Sequence, residues 1–203
     1  MKGGKIVNNK KTLIIFTILF LFILAGAGFA YGKLAENAGT QNNFTHTAEE
    51  KTEPAKDTEE HSKIEAPDFT VTDWEGNSVN LSDFEGKPVV INFWATWCGY
   101  CQMEMPDFEN KYKEYEGKIN FLMVNVTDGN RETVDTAKSY IEKSGYTFPV
   151  YFDTELDASN TYGAYSLPMT LFIDADGYAI AQATGMIGSE LLQKGIDMIY
   201  MAE

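Results

Sequence analysis

Arginine, histidine and cysteine are nearly missing from this chain: Arg131 stands alone, His46 and His61 are the only histidines, and Cys98 and Cys101 the only cysteines. Each scarcity excludes something. One cysteine pair cannot build the disulfide framework that staples small exported domains. A tetrahedral zinc site takes four ligands, and both histidines fall in a polar stretch ahead of the folded region, so no metal site and no cofactor is expected. The same lack removes the imidazole base of a cysteine protease. Acids outnumber bases by 30 to 16, with lysine sparse after Ala66. Nucleic-acid binding, which needs a basic surface, is excluded with them.

Charge-free runs that are apolar over the length of a bilayer are also absent, except at the start. Residues 1–11 carry Lys2, Lys5, Lys10 and Lys11 and no acid, and Leu13 to Phe29 then contains no charge. Residues 12–31 supply roughly the 20 residues that a bilayer-spanning helix needs. Lysines on the N-terminal side place that end in the cytoplasm. The reading is a single-pass anchor in the cell membrane, with the remainder of the chain on the extracytoplasmic side. Gly28-Phe29-Ala30 also offers small residues for signal-peptide cleavage. The length of the apolar run favours a retained anchor, and both readings give the same compartment. No cysteine follows the run to carry a lipid. Residues 32–64 hold almost no large apolar side chain and are expected to form a disordered acidic linker, because such a composition cannot offset its ordering entropy. Residues 65–203 form the folded domain.

Within that domain, Phe69–Thr72 and Ser78–Leu81 flank Glu75-Gly76-Asn77 and predict a β-hairpin. Val89–Trp94 reads as a buried central strand. A helix follows from the cysteines to about Tyr115, with Pro106 inside it predicting a kink. Ile119–Val126 is the next strand, Arg131–Lys143 a helix ended by Ser144-Gly145, Phe148–Phe152 a strand and Glu155–Tyr162 a short helix. Met169–Asp174 and Tyr178–Ala183 form a hairpin around Asp176-Gly177. Ser189–Met201 closes the domain as a helix. This order predicts an α/β fold with a central mixed β-sheet covered on both faces.

The chemistry concentrates in Trp97-Cys98-Gly99-Tyr100-Cys101. Two thiols three residues apart at the mouth of a helix can close and reopen a disulfide with little chain movement. As a purely structural crosslink, so short a loop would constrain little. Cys98, at the helix N-terminus, is the expected nucleophile, since unpaired amides and the positive end of the helix dipole stabilise a thiolate. Cys101, one turn along, is expected to resolve the mixed disulfide. Glu104 lies one further turn along the same face. It is the available proton carrier in a domain without histidine, and burial beside thiolates should raise its pKa. Trp97 and Tyr100 flank the sulfurs as an expected apolar contact surface for substrate.

The run Asn92-Phe93-Trp94-Ala95-Thr96-Trp97-Cys98-Gly99-Tyr100-Cys101, then Pro106, then Leu167-Pro168-Met169-Thr170 ahead of a hairpin, resembles the thioredoxin-like proteins. The N-terminal anchor, the extra helix and strand between Arg131 and Phe152, and Glu104 most resemble the membrane-tethered ResA/TlpA-type thiol-disulfide oxidoreductases. That resemblance implies a thioredoxin-like fold with an N-terminal β-hairpin and a central helix–strand insertion. It also implies a cis Leu167–Pro168 bond whose loop packs on the sulfurs and offers the backbone of Leu167 to an extended substrate. Asn92 stands where cytoplasmic thioredoxins carry a buried Asp, which leaves Glu104 as the acid–base group. Tyr100 replaces the proline most relatives place before the second cysteine, so the redox poise stays open.

The implied activity is reduction of disulfides in exported proteins, such as the haem-attachment cysteines of apocytochrome c. Electrons would come from an integral membrane thiol carrier, and the protein would act as a monomer. A disulfide-forming oxidase and a non-catalytic binding module with the same fold are the alternatives. A thiol peroxidase fits poorly, because position 95 is Ala where such enzymes need Thr.

Overall fold

The computed structural model describes residues 44–45 and 64–200. The expected anchor at 12–31 and nearly all of the expected linker lie outside the described residues. Among the described residues, no helix is long and apolar enough to cross a membrane.

Strands β1 (Phe44–Thr45), β2 (Ile64–Glu65), β3 (Thr70–Thr72), β4 (Ser78–Asn80), β5 (Val89–Trp94), β6 (Asn120–Asn125), β7 (Val150–Phe152), β8 (Met169–Ile173) and β9 (Tyr178–Thr184) join in one sheet. Its order is β1-β9-β8-β5-β6-β7-β3-β4, with β2 also pairing β9. β5, β6 and β7 run parallel, while β8 is antiparallel to both β5 and β9. The helices are α1 (Gly99–Glu114), α2 (Val134–Ser144), α3 (Asp157–Tyr162) and α4 (Ser189–Ile199). The fold is the mixed, thioredoxin-like α/β sheet expected.

Strand alternation sorts the side chains between two apolar layers. Val90 and Trp94 of β5, Phe121 and Met123 of β6 and Phe172 of β8 pack with Cys101, Met105 and Phe108 of α1, Ala137 and Ile141 of α2, and Leu192, Ile196 and Ile199 of α4. Val89, Ile91 and Phe93, with Leu122, Val124, Leu171 and Ile173, pack instead under α3 and the N-terminal hairpin. Asn92 therefore lies in register with Val90 and Trp94, on the face that α1 covers. Thr170 is its cross-strand partner on β8. That register decides what the site is made of. Gly195 lets α4 approach the same face, since a Cβ there would meet Phe172 ring atoms at 2.2 to 2.5 Å.

The elements differ from expectation mainly at their ends, for identifiable reasons. Helix α2 starts at Val134 rather than Arg131 because Asp128 Oδ1 accepts the backbone N–H groups of Asn130, Arg131 and Glu132. Thr133 then caps the helix, its Oγ1 accepting from Thr136 N. Gly145, left-handed at φ 72°, ends it. β7 begins at Val150 because Pro149 has no N–H and the Phe148 amide turns to Glu109. α3 begins at Asp157, where Asp153 accepts the amides of Ala158 and Ser159. Phe44–Thr45 is an addition, as the composition of the linker predicts no strand. It pairs with Ala183 and Gln182 on the outer edge of β9, whose backbone groups would otherwise be unpaired.

Candidate active site

α1 begins at the site. Cys98 is its N-cap, with extended backbone at φ −87° and ψ 101°, and its sulfur accepts from the Cys101 amide at 3.2 Å. The first turn carries no acid, and Lys111 and Lys113 occupy the last. Side-chain charge thus complements the helix dipole at its C-terminus and leaves the N-terminal field uncompensated. Cys98 and Cys101 are joined in a disulfide, with Cα atoms 5.3 Å apart. Both are buried, Cys101 completely.

One turn beyond, Glu104 is 1% exposed. Helical spacing puts it on the inward stripe with Cys101, Met105 and Phe108, and so against the Asn92 face of the sheet. Its Oε1 accepts from Asn92 Nδ2 at 2.8 Å and its Oε2 from the Ile187 amide at 2.9 Å. The other Nδ2 hydrogen of Asn92 goes to Thr170 Oγ1 at 3.1 Å. Burial pushes the Glu104 carboxyl up to about 7. The two donors pull against that rise, and Asp107 on the next turn adds to it.

The Leu167–Pro168 bond is cis. Pro168 is buried and its carbonyl accepts from the Gly185 amide at 2.8 Å. The loop from Gly185 to Gly188 thus ties the proline segment to Glu104, since Ile187 belongs to it. Leu167 is half-buried and packs on the layer that contains both cysteines. Trp97 and Tyr100 are 44% and 65% exposed. Trp97 lies under Arg131, whose guanidinium carbon is 3.7 Å from the ring centroid.

A second buried carboxylate braces this edge. Glu132 Oε2 accepts the amide and hydroxyl of Thr96, two residues before Cys98, and Oε1 accepts from Asn125 Nδ2. Thr170, Ile187 and Glu132 were missed in the sequence. Thr170 was discoverable, since pairing the predicted strands places it opposite Asn92. Ile187 acts through its backbone, which leaves no trace in residue type. Among the described residues, no group of three or more His, Cys, Asp or Glu side chains converges as a metal cluster.

A disulfide on a helix N-terminus, a buried glutamate one turn on and a cis-proline loop are the parts of a dithiol exchange site. Residues 63–181 match the AhpC/TSA family. The chain is 36% identical over 191 residues to the thiol-disulfide oxidoreductase ResA of Bacillus thuringiensis subsp. konkukian, covering 94% of this chain and 98% of the relative. The chain belongs to the thioredoxin-like ResA-type thiol-disulfide oxidoreductases. The ResA of Bacillus subtilis is 32% identical over 140 residues, 68% of this chain and 76% of that one. Among solved structures, the exposed lipoprotein thioredoxin Etrx1 of Streptococcus pneumoniae superposes with a TM-score of 0.57 at 28% identity, covering 64% of this chain and 99% of its own. As a member of this family the chain is an enzyme acting on disulfide-containing proteins.

Proposed function

We propose that this oxidoreductase is a membrane-tethered reductant of disulfides in exported proteins, anchored through residues 12–31 and carried outside the cytoplasmic membrane on the 32–64 linker. The observation that supports this best is the Cys98–Cys101 pair on the first turn of α1, one turn from a carboxyl held near neutrality.

In the reduced enzyme, Cys98 is the nucleophile, its thiolate stabilised by the first-turn amides and the helix dipole. Its sulfur bonds to one sulfur of the substrate disulfide. The other substrate sulfur leaves as a thiolate and takes a proton. The Cys101 thiol then gives its proton to the Glu104 carboxylate and attacks the Cys98 sulfur; the second substrate sulfur leaves as a thiolate and takes a proton from solvent, and Glu104 returns its own proton to Cys101 when the pair is next reduced. Two electrons have passed from the pair to the substrate, and an integral membrane thiol carrier restores them. Trp97, Tyr100, Leu167 and Pro168 form the surface that receives an extended segment, the Leu167 backbone offering strand-like pairing. Apocytochrome c, with paired haem-attachment cysteines, is the substrate the ResA likeness favours. The enzyme works as a monomer.

Insulin-disulfide reduction by the full chain, with Cys98→Ser alongside, tests the assignment. Turnover by the parent and none by the variant is expected, and equal rates defeat it. Cys101→Ser should accumulate a Cys98 mixed disulfide with substrate.

A further inference from the structure

Asn92 holds an unpaired atom in the middle of the site. Its Nδ2 spends both hydrogens, on Glu104 Oε1 and on Thr170 Oγ1. Its Oδ1, on a residue with no exposure, has no hydrogen-bond partner. Buried polar atoms are nearly always paired, so an orphan carbonyl beside a carboxyl points to a second arrangement of the same atoms.

Glu104 Oε2 is already committed to the Ile187 amide. A proton gained by this carboxyl is therefore carried on Oε1, the oxygen that faces Asn92. In the present arrangement that proton would meet Nδ2–H, donor against donor. A half-turn of the amide removes the conflict. Oδ1 then sits where Nδ2 was and accepts the O–H of Glu104. It also accepts the O–H of Thr170, whose hydroxyl can donate as readily as it accepts. The terminal torsion of Asn is broad and two-fold, and the exchanged atoms differ little in size, so the turn needs no new space. Two hydrogen bonds are kept in each state, and the unpaired atom changes from the carbonyl oxygen to the amide nitrogen.

We propose that Asn92 is a proton-coupled amide switch, a positioning residue that turns over each time Glu104 gains or loses its proton. The inference rests on the proton-carrier role proposed for Glu104. In the exchange step the proton moves from the Cys101 thiol to Glu104 Oε1, while Asn92 and Thr170 trade donor and acceptor roles without giving up a proton. Glu104 stays anchored to Ile187 throughout, so the carboxyl loads and unloads in place. An aspartate at position 92 would bring a second charge instead. The groups facing Glu104 are Cys101 and Asp107 from its own helix, Asn92 from β5, Thr170 from β8 and the Ile187 amide from the β9–α4 loop. Of these, Asp107 carries the charge.

The test is NMR on the full, isotope-labelled, oxidised chain in detergent micelles, titrated from about pH 4 to about pH 9, a range that brackets a free and a raised carboxyl. The Asn92 Nδ2 resonance is expected to shift, and its contacts to the Thr170 methyl to weaken, with the midpoint of the Glu104 carboxyl carbon. Glu104→Gln supplies the turned state without a proton: its carbonyl stays with Ile187 and its NH2 group faces Asn92. At high pH that variant should give the low-pH Asn92 pattern of the parent. The parent's high-pH pattern in Glu104→Gln, or an Asn92 signal that ignores the Glu104 titration, overturns the switch. Exchange activity distinguishes the underlying reading, because identical pH profiles in parent and Glu104→Gln would defeat Glu104 as proton carrier whatever the amide does.

Discussion

Glu104 and Glu132 are 1% and 0% exposed, and each is held by an asparagine from a neighbouring strand. Yet they do different work. Glu132 accepts three donors, from the Thr96 amide, the Thr96 hydroxyl and Asn125. Glu104 accepts two, and one comes from an amide able to present oxygen instead. A carboxylate with its acceptor sites filled by fixed donors is a clamp, here on the segment leading into Cys98. A carboxyl with fewer donors and a neighbour of either polarity can hold a proton. Burial alone does not assign function; the donor count beside it does.

Removing the clamp should cost most. Glu132→Ala strands the buried Asn125 donor and frees the half-buried Thr96, and should destabilise the domain by about 3–4 kcal/mol, since a buried unsatisfied group costs roughly 1–3 kcal/mol and the lost Thr96 hydrogen bonds add to it. Urea unfolding reads the loss, and a variant as stable as the parent would erase the contrast with Glu104.

Glu104→Gln comes next, and its effect depends on pH. The folded-state carboxyl titrates at about 7 against an ordinary 4.5, so between these values the folded protein binds more protons than the unfolded one. The stabilising contribution is complete below about 4.5 and is lost as pH rises through about 7, a swing on the order of 3 kcal/mol. Unfolding free energies of the oxidised parent should fall across that window while those of Glu104→Gln stay level. Parallel curves would show that Glu104 titrates like any surface carboxyl.

Gly195→Ala disturbs the shared platform without touching either glutamate. Its Cβ would be driven into Phe172, whose strand also carries Thr170. A loss of about 2 kcal/mol is expected from overpacking. Thermal melts should drop equally across pH while the pH profile of disulfide exchange keeps its midpoint. Arg131→Gln is the mildest change. It removes the cation over Trp97 for about 0.5–1 kcal/mol, seen as altered indole fluorescence with near-parental stability.

The sheet, its helices and the cysteine pair were legible in the sequence because each rests on a local pattern. Val89–Trp94 is a continuous apolar run, Cys101, Met105 and Phe108 keep helical spacing, and Asp176-Gly177 marks a hairpin. Glu104 was legible for the same reason, three residues from Cys101. What escaped depends on contacts distant in sequence. The Ile187 amide reaches Glu104 across 83 residues, and Thr96 finds Glu132 across 36. In the sequence Asn92 shows only the absence of an aspartate. Its partnership with Glu104 and Thr170 needs the strand register, which places it on the α1 face. Phe44–Thr45 escaped because two residues in a polar stretch carry no period, and the open edge of β9 selects them.

Whether Cys98 and Cys101 reduce the disulfides of other proteins is decided by the reduction potential of the pair, measured against a glutathione or thioredoxin buffer. A reductant should lie close to the thioredoxin value, at about −270 mV, whereas a value near about −120 mV would make the pair a strong oxidant instead.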